Sequence, residues 1–270
     1  MGTMHSEGKG GPMAAADLAA LAQAKQLLEH PSYMARVTDA IGMPIENAVK
    51  ALPASWSKGI STVTTASLNK CFKVANATLL PTGNTSHPKM HSVAVAVTGA
   101  LGGAFGIAGL AVELPVSTTV MLRSIADIGR ANGEMLGTPE AQLACLMVFS
   151  LGGKSGDDDA SESGYFAARV ALARAMSEAT AYLSKHAVAQ ESAPALVRLI
   201  AQIAAKFNVQ VSQKAAAMMV PVLGAAGGAL VNTLFINHFQ DMARGHFTVR
   251  RLERLYGPEV VSAAYRALPK

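Results

Sequence analysis

SVAVAVTGALGGAFGIAGLAV, residues 92–112, is the stretch on which the fold turns. Its 21 residues between His91 and Glu113 carry no charge, which meets the length of roughly 20 apolar residues needed to cross a bilayer. Length alone does not decide its setting. Gly99 with Gly103 and Gly102 with Gly106 give two overlapping GxxxG spacings, which let a second helix backbone approach closely. Each glycine costs a helix roughly 1 kcal/mol of propensity, so packing has to compensate.

The device recurs. AAAMMVPVLGAAGGALVNTLFIN, 23 uncharged residues between Lys214 and His238, contains GAAGGA (Gly224–Ala229), an echo of GALGGA (Gly99–Ala104) 125 positions earlier. A polar segment follows each run, Glu113–Glu134 and His238–Gly257. A pseudo-twofold internal repeat is one reading of this echo; chance matching in an Ala/Gly-rich chain is the other. A repeat would place His238 where Glu113 stands and let the two meet in a pseudosymmetric core.

Composition agrees with helices packed on helices. The chain is 50% hydrophobic but only 5% aromatic and 15% charged, with 24 glycines and 12 prolines among 270 residues, which excludes disordered and collagen-like classes. Helix formers in Ala14–Glu29 end at Pro31, and Trp56, Ile60, Val63, Leu68 and Phe72 recur at helical spacing. Thr138-Pro139-Glu140 has the form of a capped helix start. No alternating strand pattern survives the glycine run after Val97. These signals predict one all-α domain over residues 14–270, with about nine to twelve helices and the two Gly/Ala-rich helices packed at its centre. Residues 1–13 read as a disordered tail or an expression remnant, without the apolar core of a secretory signal. Cys71 and Cys145 read as small buried hydrophobes in a reducing cytosol.

ELPVSTTVMLRSIADIGR, SLGGKSGDDDASESGYFAARVALARAMSEA and VPVLGAAGGALVNTLFINHFQDMARGHFTVRRLE together resemble the bacterial EcsC family. The similarity extends over approximately Ala14–Gly257. It implies a largely helical protein. The family's namesake is encoded beside an ABC-type transporter, so the resemblance also implies transporter subunits as partners; it transfers no catalytic residue.

Two polar constellations are candidate sites. Glu113, Arg123, Asp127 and Arg130 lie on one predicted helix, where spacings of three and four allow an ion-pair ladder. Glu113 is a candidate proton-handling carboxylate, and Arg123, Asp127 and Arg130 are candidate ligand contacts; the competing reading is a polar clamp between helices. His238 and Asp241, three apart, suit an acid–base pair, with Asn232, Asn237 and Arg244 beside them. Arg250, Arg251 and Arg254 are a candidate membrane or partner surface. His87 with His91, and Asp157–Asp159, lack a full ligand set, so no metal is expected. No Walker loop, nucleophile elbow, HExxH or paired CxxC occurs, and no cofactor is expected.

Two function classes follow. The net charge of +5, without a basic stripe carrying stacking aromatics, points away from nucleic acid and toward an anionic membrane surface. The leading expectation is a non-catalytic, lipid-binding or membrane-associated accessory protein, peripheral at the inner face of the bacterial cytoplasmic membrane. The two apolar runs either span the bilayer or form a buried or docking hairpin; Thr98, Asn232, Asn237 and the five glycines favour the second. The alternative is an acid–base enzyme, such as a hydrolase, using Glu113 with His238 and Asp241 around an apolar pocket.

Overall fold

The computed structural model describes residues 13–29, 33–42, 46–78, 90–152, 164–186, 192–219 and 224–269, apart from the side chains of 34, 41, 46, 74–108 and 224–226. These residues form ten α-helices, one short 3-10 turn and no strand. In order they are α1 (Ala15–Glu29), α2 (Tyr33–Ile41), α3 (Glu46–Lys50), α4 (Ala54–Thr78), α5 (Met90–Ala131), α6 (Pro139–Met147), the turn Val148–Ser150, α7 (Gly164–Lys185), α8 (Pro194–Met218), α9 (Gly224–Tyr256) and α10 (Pro258–Ala267). The all-helical expectation holds, and α5 and α9, the helices that carry the two glycine-rich motifs, pack along each other.

Each glycine-rich run continues into the polar segment after it as a single helix. α5 passes through Pro115, which cannot donate to the Ala111 carbonyl. Just after it, the hydroxyls of Ser117 and Thr118 donate to Leu114 O, and that of Thr119 to Pro115 O. The second uncharged run, by contrast, is not one helix: α8 ends at Met218 and α9 begins at Gly224.

α5 and α9 run parallel. Ser124 accepts from Gln240 at 3.0 Å, Gly129 packs on the Phe247 ring, and Glu134 accepts from Arg250 at 2.8 Å. These pairs lie 116 to 118 residues apart in sequence, not 125. The hairpin expectation is therefore replaced by two parallel helices, and the repeat register fails: residues one offset of 125 apart are not at the same height. By the observed register the start of α9 lies level with α5 near residue 107, so about 25 Å of α5 continues past it at 1.5 Å per residue.

α8 and α4 stop at nearly the same height. Lys214 reaches Asn232 while Phe207 meets Phe239, so α8 is antiparallel to α9. The Cys71 thiol on α4 meets the Thr119 hydroxyl. The connection from Thr78 to Met90 spans at most about 43 Å at ~3.6 Å per residue, and only an antiparallel α4 keeps it that short. Thr78 is thus level with α5 near residue 112. Among the described residues, the uncharged half of α5 continues alone beyond this end of the bundle.

The core is dense. Every residue from Ala141 to Leu151 is buried, and Thr138 Oγ1 caps this segment by accepting from Ala141 N at 3.3 Å. The scarce aromatics concentrate beside it, where Phe149, Phe207, Phe235 and Phe239 pack with ring centroids 5.0–6.0 Å apart. Fully burying each such ring is worth about 1.5–3 kcal/mol. α1 lies against α9 at Gly245, where a β-carbon would stand 2.6 Å from Leu28 Cγ and 3.0 Å from the Ala24 carbonyl.

Candidate functional site

Four helices bring polar side chains into the dry centre of the bundle. α5 turns Leu110, Leu114, Met121 and Ile125 inward, and Glu113 shares that inner side of the helix at 3% exposure. On α8 the stripe Phe207, Gln210, Val211 and Lys214 follows helical spacing, so a lysine occupies a core position at 0% exposure. α9 contributes Asn232, Phe235, His238 and Phe239, and α2 contributes Tyr33.

Lys214 is the hub. Its Nζ donates to both carboxylate oxygens of Glu113 and to Asn232 Oδ1, each at 2.8 Å, which uses all three ammonium protons. The same nitrogen stands 4.6 Å from the Phe235 ring centroid. Burial pulls the lysine pKa below its ordinary value, and the Glu113 carboxylate works against that pull. Such a pair is costly to bury but strongly interdependent once formed. This is the clamp reading of Glu113, realised with a partner 101 residues away.

His238 is fully buried, with its ring 5.1 Å from Phe239 and 5.8 Å from Tyr33. Leu151 presents its carbonyl nearby, but that oxygen accepts from Gln210 Nε2 at 3.0 Å, and neither ring nitrogen forms a well-aligned hydrogen bond. Gly152, at φ +75°, closes over the imidazole so tightly that a β-carbon would lie 2.5 Å from it. Burial and the Arg36 charge push the histidine pKa down to about 4, against the opposing influence of Asp241 and the Leu151 carbonyl. The ring is therefore neutral at pH 7.

The three candidate acid–base residues are not joined by hydrogen bonds. Glu113 is committed to Lys214, and Asp241 accepts from Arg36 and from Arg244, each at 2.7 Å. Tyr33 is the common neighbour, with its ring near His238 and its phenol raised in pKa by burial and then by the Glu113 charge. Of the proposed ladder, Asp127 and Arg130 pair at 2.6 Å on an exposed face. Arg123 is exposed as well, whereas Glu113 is buried among the core side chains. Asn237 is exposed.

Arg250, Arg251 and Arg254 are engaged within the molecule. Arg250 and Arg254 both donate to Glu134, Arg250 also to Glu140, and Arg251 to Asp17. Burial alone would raise the Glu134 pKa, but the two guanidiniums outweigh it and hold the carboxyl below its ordinary value. A further buried cluster had no sequence signal: Tyr165 OH meets His246 Nδ1 at 2.9 Å, and Arg169 grips Glu253 at 2.6 and 3.0 Å. Lys214 did leave one, a lysine in register with the apolar stripe Phe207, Val211 and Ala217. Both cysteines are buried, with thiol pKa values pushed up to about 12 by burial. Among the described residues no three His, Cys, Asp or Glu side chains gather as a metal site; the side chains of His87, His91 and Asp157–Asp159 lie outside them.

Comparison with known proteins gives one match: the model of the EcsC protein family covers residues 18–252. No curated protein and no solved structure matches the chain.

Proposed function

The chain belongs to the EcsC family, and we propose that it is a non-catalytic accessory protein docking on the inner face of the bacterial cytoplasmic membrane, with transporter subunits as protein partners. The observation that carries this reading is that, among the described residues, the uncharged half of α5 runs about 25 Å beyond the start of α9. An uncharged helical stretch at the end of a bundle suits lipid or an apolar partner better than water. Among the described residues no helix is long and apolar enough to cross a membrane.

The acid–base alternative draws no comparable support, since the ion pair to Lys214 occupies Glu113 and the arginines occupy Asp241. Vesicle flotation tests the membrane reading. The full chain is expected to rise with vesicles containing anionic lipid; a chain left at the bottom of the gradient with every lipid composition sinks the proposal. Co-purification with membrane-embedded transporter subunits tests the partner.

A further inference from the structure

We infer that the molecule docks end-on, with the bundle end around Val112, Met219 and Leu230 facing an anionic bilayer; this rests on the membrane reading above and names the surface that would serve it. By the register of the long helices, Val112 on α5, Leu230 on α9 and Met219 just after α8 stand at almost the same height. Each is an exposed large hydrophobic residue, at 74%, 39% and 44% exposure respectively, and Val116 one turn further along α5 is exposed too. The uncharged half of α5 leaves the bundle from this same end.

Charge sorts along the same axis. Glu113 is the one carboxylate at this height among the described side chains, and Lys214 neutralises it in the interior. Every other described carboxylate stands level with Asp241 or nearer the opposite end, where Glu134, Glu253 and Asp17 hold their arginines. The exposed cations toward the apolar end are Lys73, Lys70, Lys206 and Arg123, which the register sets back by roughly 7–17 Å at 1.5 Å per residue. An apolar tip backed by cations matches a bilayer with anionic headgroups, because the tip enters the acyl boundary while the cations remain within about a Debye length of the surface. A protein partner would not require this sorting of charge.

The test compares the two ends with vesicles of phosphatidylcholine containing phosphatidylglycerol. Val112→Glu and Leu230→Glu are each expected to weaken partitioning about tenfold, since a carboxylate replaces an inserted aliphatic group. Met135→Glu is the control, at the opposite end and also 74% exposed, and is expected to bind as the native chain does. Native binding that survives Val112→Glu and Leu230→Glu, or is lost in Met135→Glu, overturns the docking end but leaves the membrane reading intact. Failure of the native chain to bind removes both. Trp56, the sole tryptophan, sits at the far end of α4 and provides a second readout free of folding effects. Brominated lipid should leave Trp56 unquenched and quench a Leu230→Trp reporter in a Trp56→Phe background; the reverse pattern overturns the inference.

Discussion

The Glu113–Lys214 pair ties α5 to α8, and the Glu134–Arg250–Arg254 cluster ties the turn after α5 to α9, yet they do so in different media. In the first, both side chains are at 3% exposure or less; in the second, Arg250 and Arg254 remain 18% and 41% exposed. Water can therefore compensate the two arginines for the loss of Glu134, itself 5% exposed, whereas neither member of the core pair has that recourse. Ion pairing thus has very different consequences at the two places.

Breaking the dry pair should have the largest effect. Lys214→Met leaves an uncompensated carboxylate in the core and is expected to cost about 3–5 kcal/mol in chemical denaturation. Adding Glu113→Leu should restore most of the loss; a double variant as unstable as the single would show that the clamp is not the origin. At the rim, Glu134→Gln weakens charge-assisted bonds that water partly replaces, and about 1.5–3 kcal/mol is expected. A loss matching that of Lys214→Met would erase the distinction between the two media.

Acid sharpens the comparison from a neutral group. His238 has a folded pKa near 4 against about 6.5 unfolded, so between these values the unfolded chain binds the extra proton. Its contribution is complete above pH 6.5 and is lost as pH falls toward 4, by up to about 1.4 kcal/mol per pH unit. His246, also held below its ordinary pKa chiefly by burial, acts in the same direction. Stability measured from pH 7 to 5 should fall less steeply in His238→Gln; an unchanged slope would place the titration elsewhere. The smallest effect belongs to the exposed Asp127–Arg130 pair, where Asp127→Asn should change stability by no more than about 0.5 kcal/mol in thermal melts.

Local signals in the sequence were sufficient for local structure. Thr138 before Pro139 located the cap of α6, and the polar segments after the uncharged runs lie on the helices that pair, α5 and α9. Partner choice was not legible, because it depends on which faces meet after folding. Arg250, Arg251 and Arg254 look like a free basic patch until Glu134 and Asp17, more than a hundred residues away, are brought against them. Lys214 marked the edge of an apolar run in the sequence, yet α8 carries it into the core, where Glu113 awaits. The glycine echo suggested a symmetry that the helix register does not keep, since two similar hexapeptides do not specify height.

The parallel pairing of α5 with α9 also sets a schedule for synthesis. A helical hairpin can close as soon as its second arm is made, whereas the second half of α5 meets its α9 partners some 116 to 118 positions later. At about 5–20 residues per second, α5 waits roughly 6–24 s on the ribosome for the helix that covers it. Over that interval the inner face of its second half, Leu114, Met121 and Ile125, is at its most vulnerable to aggregation, and a chaperone that shields it has its greatest effect.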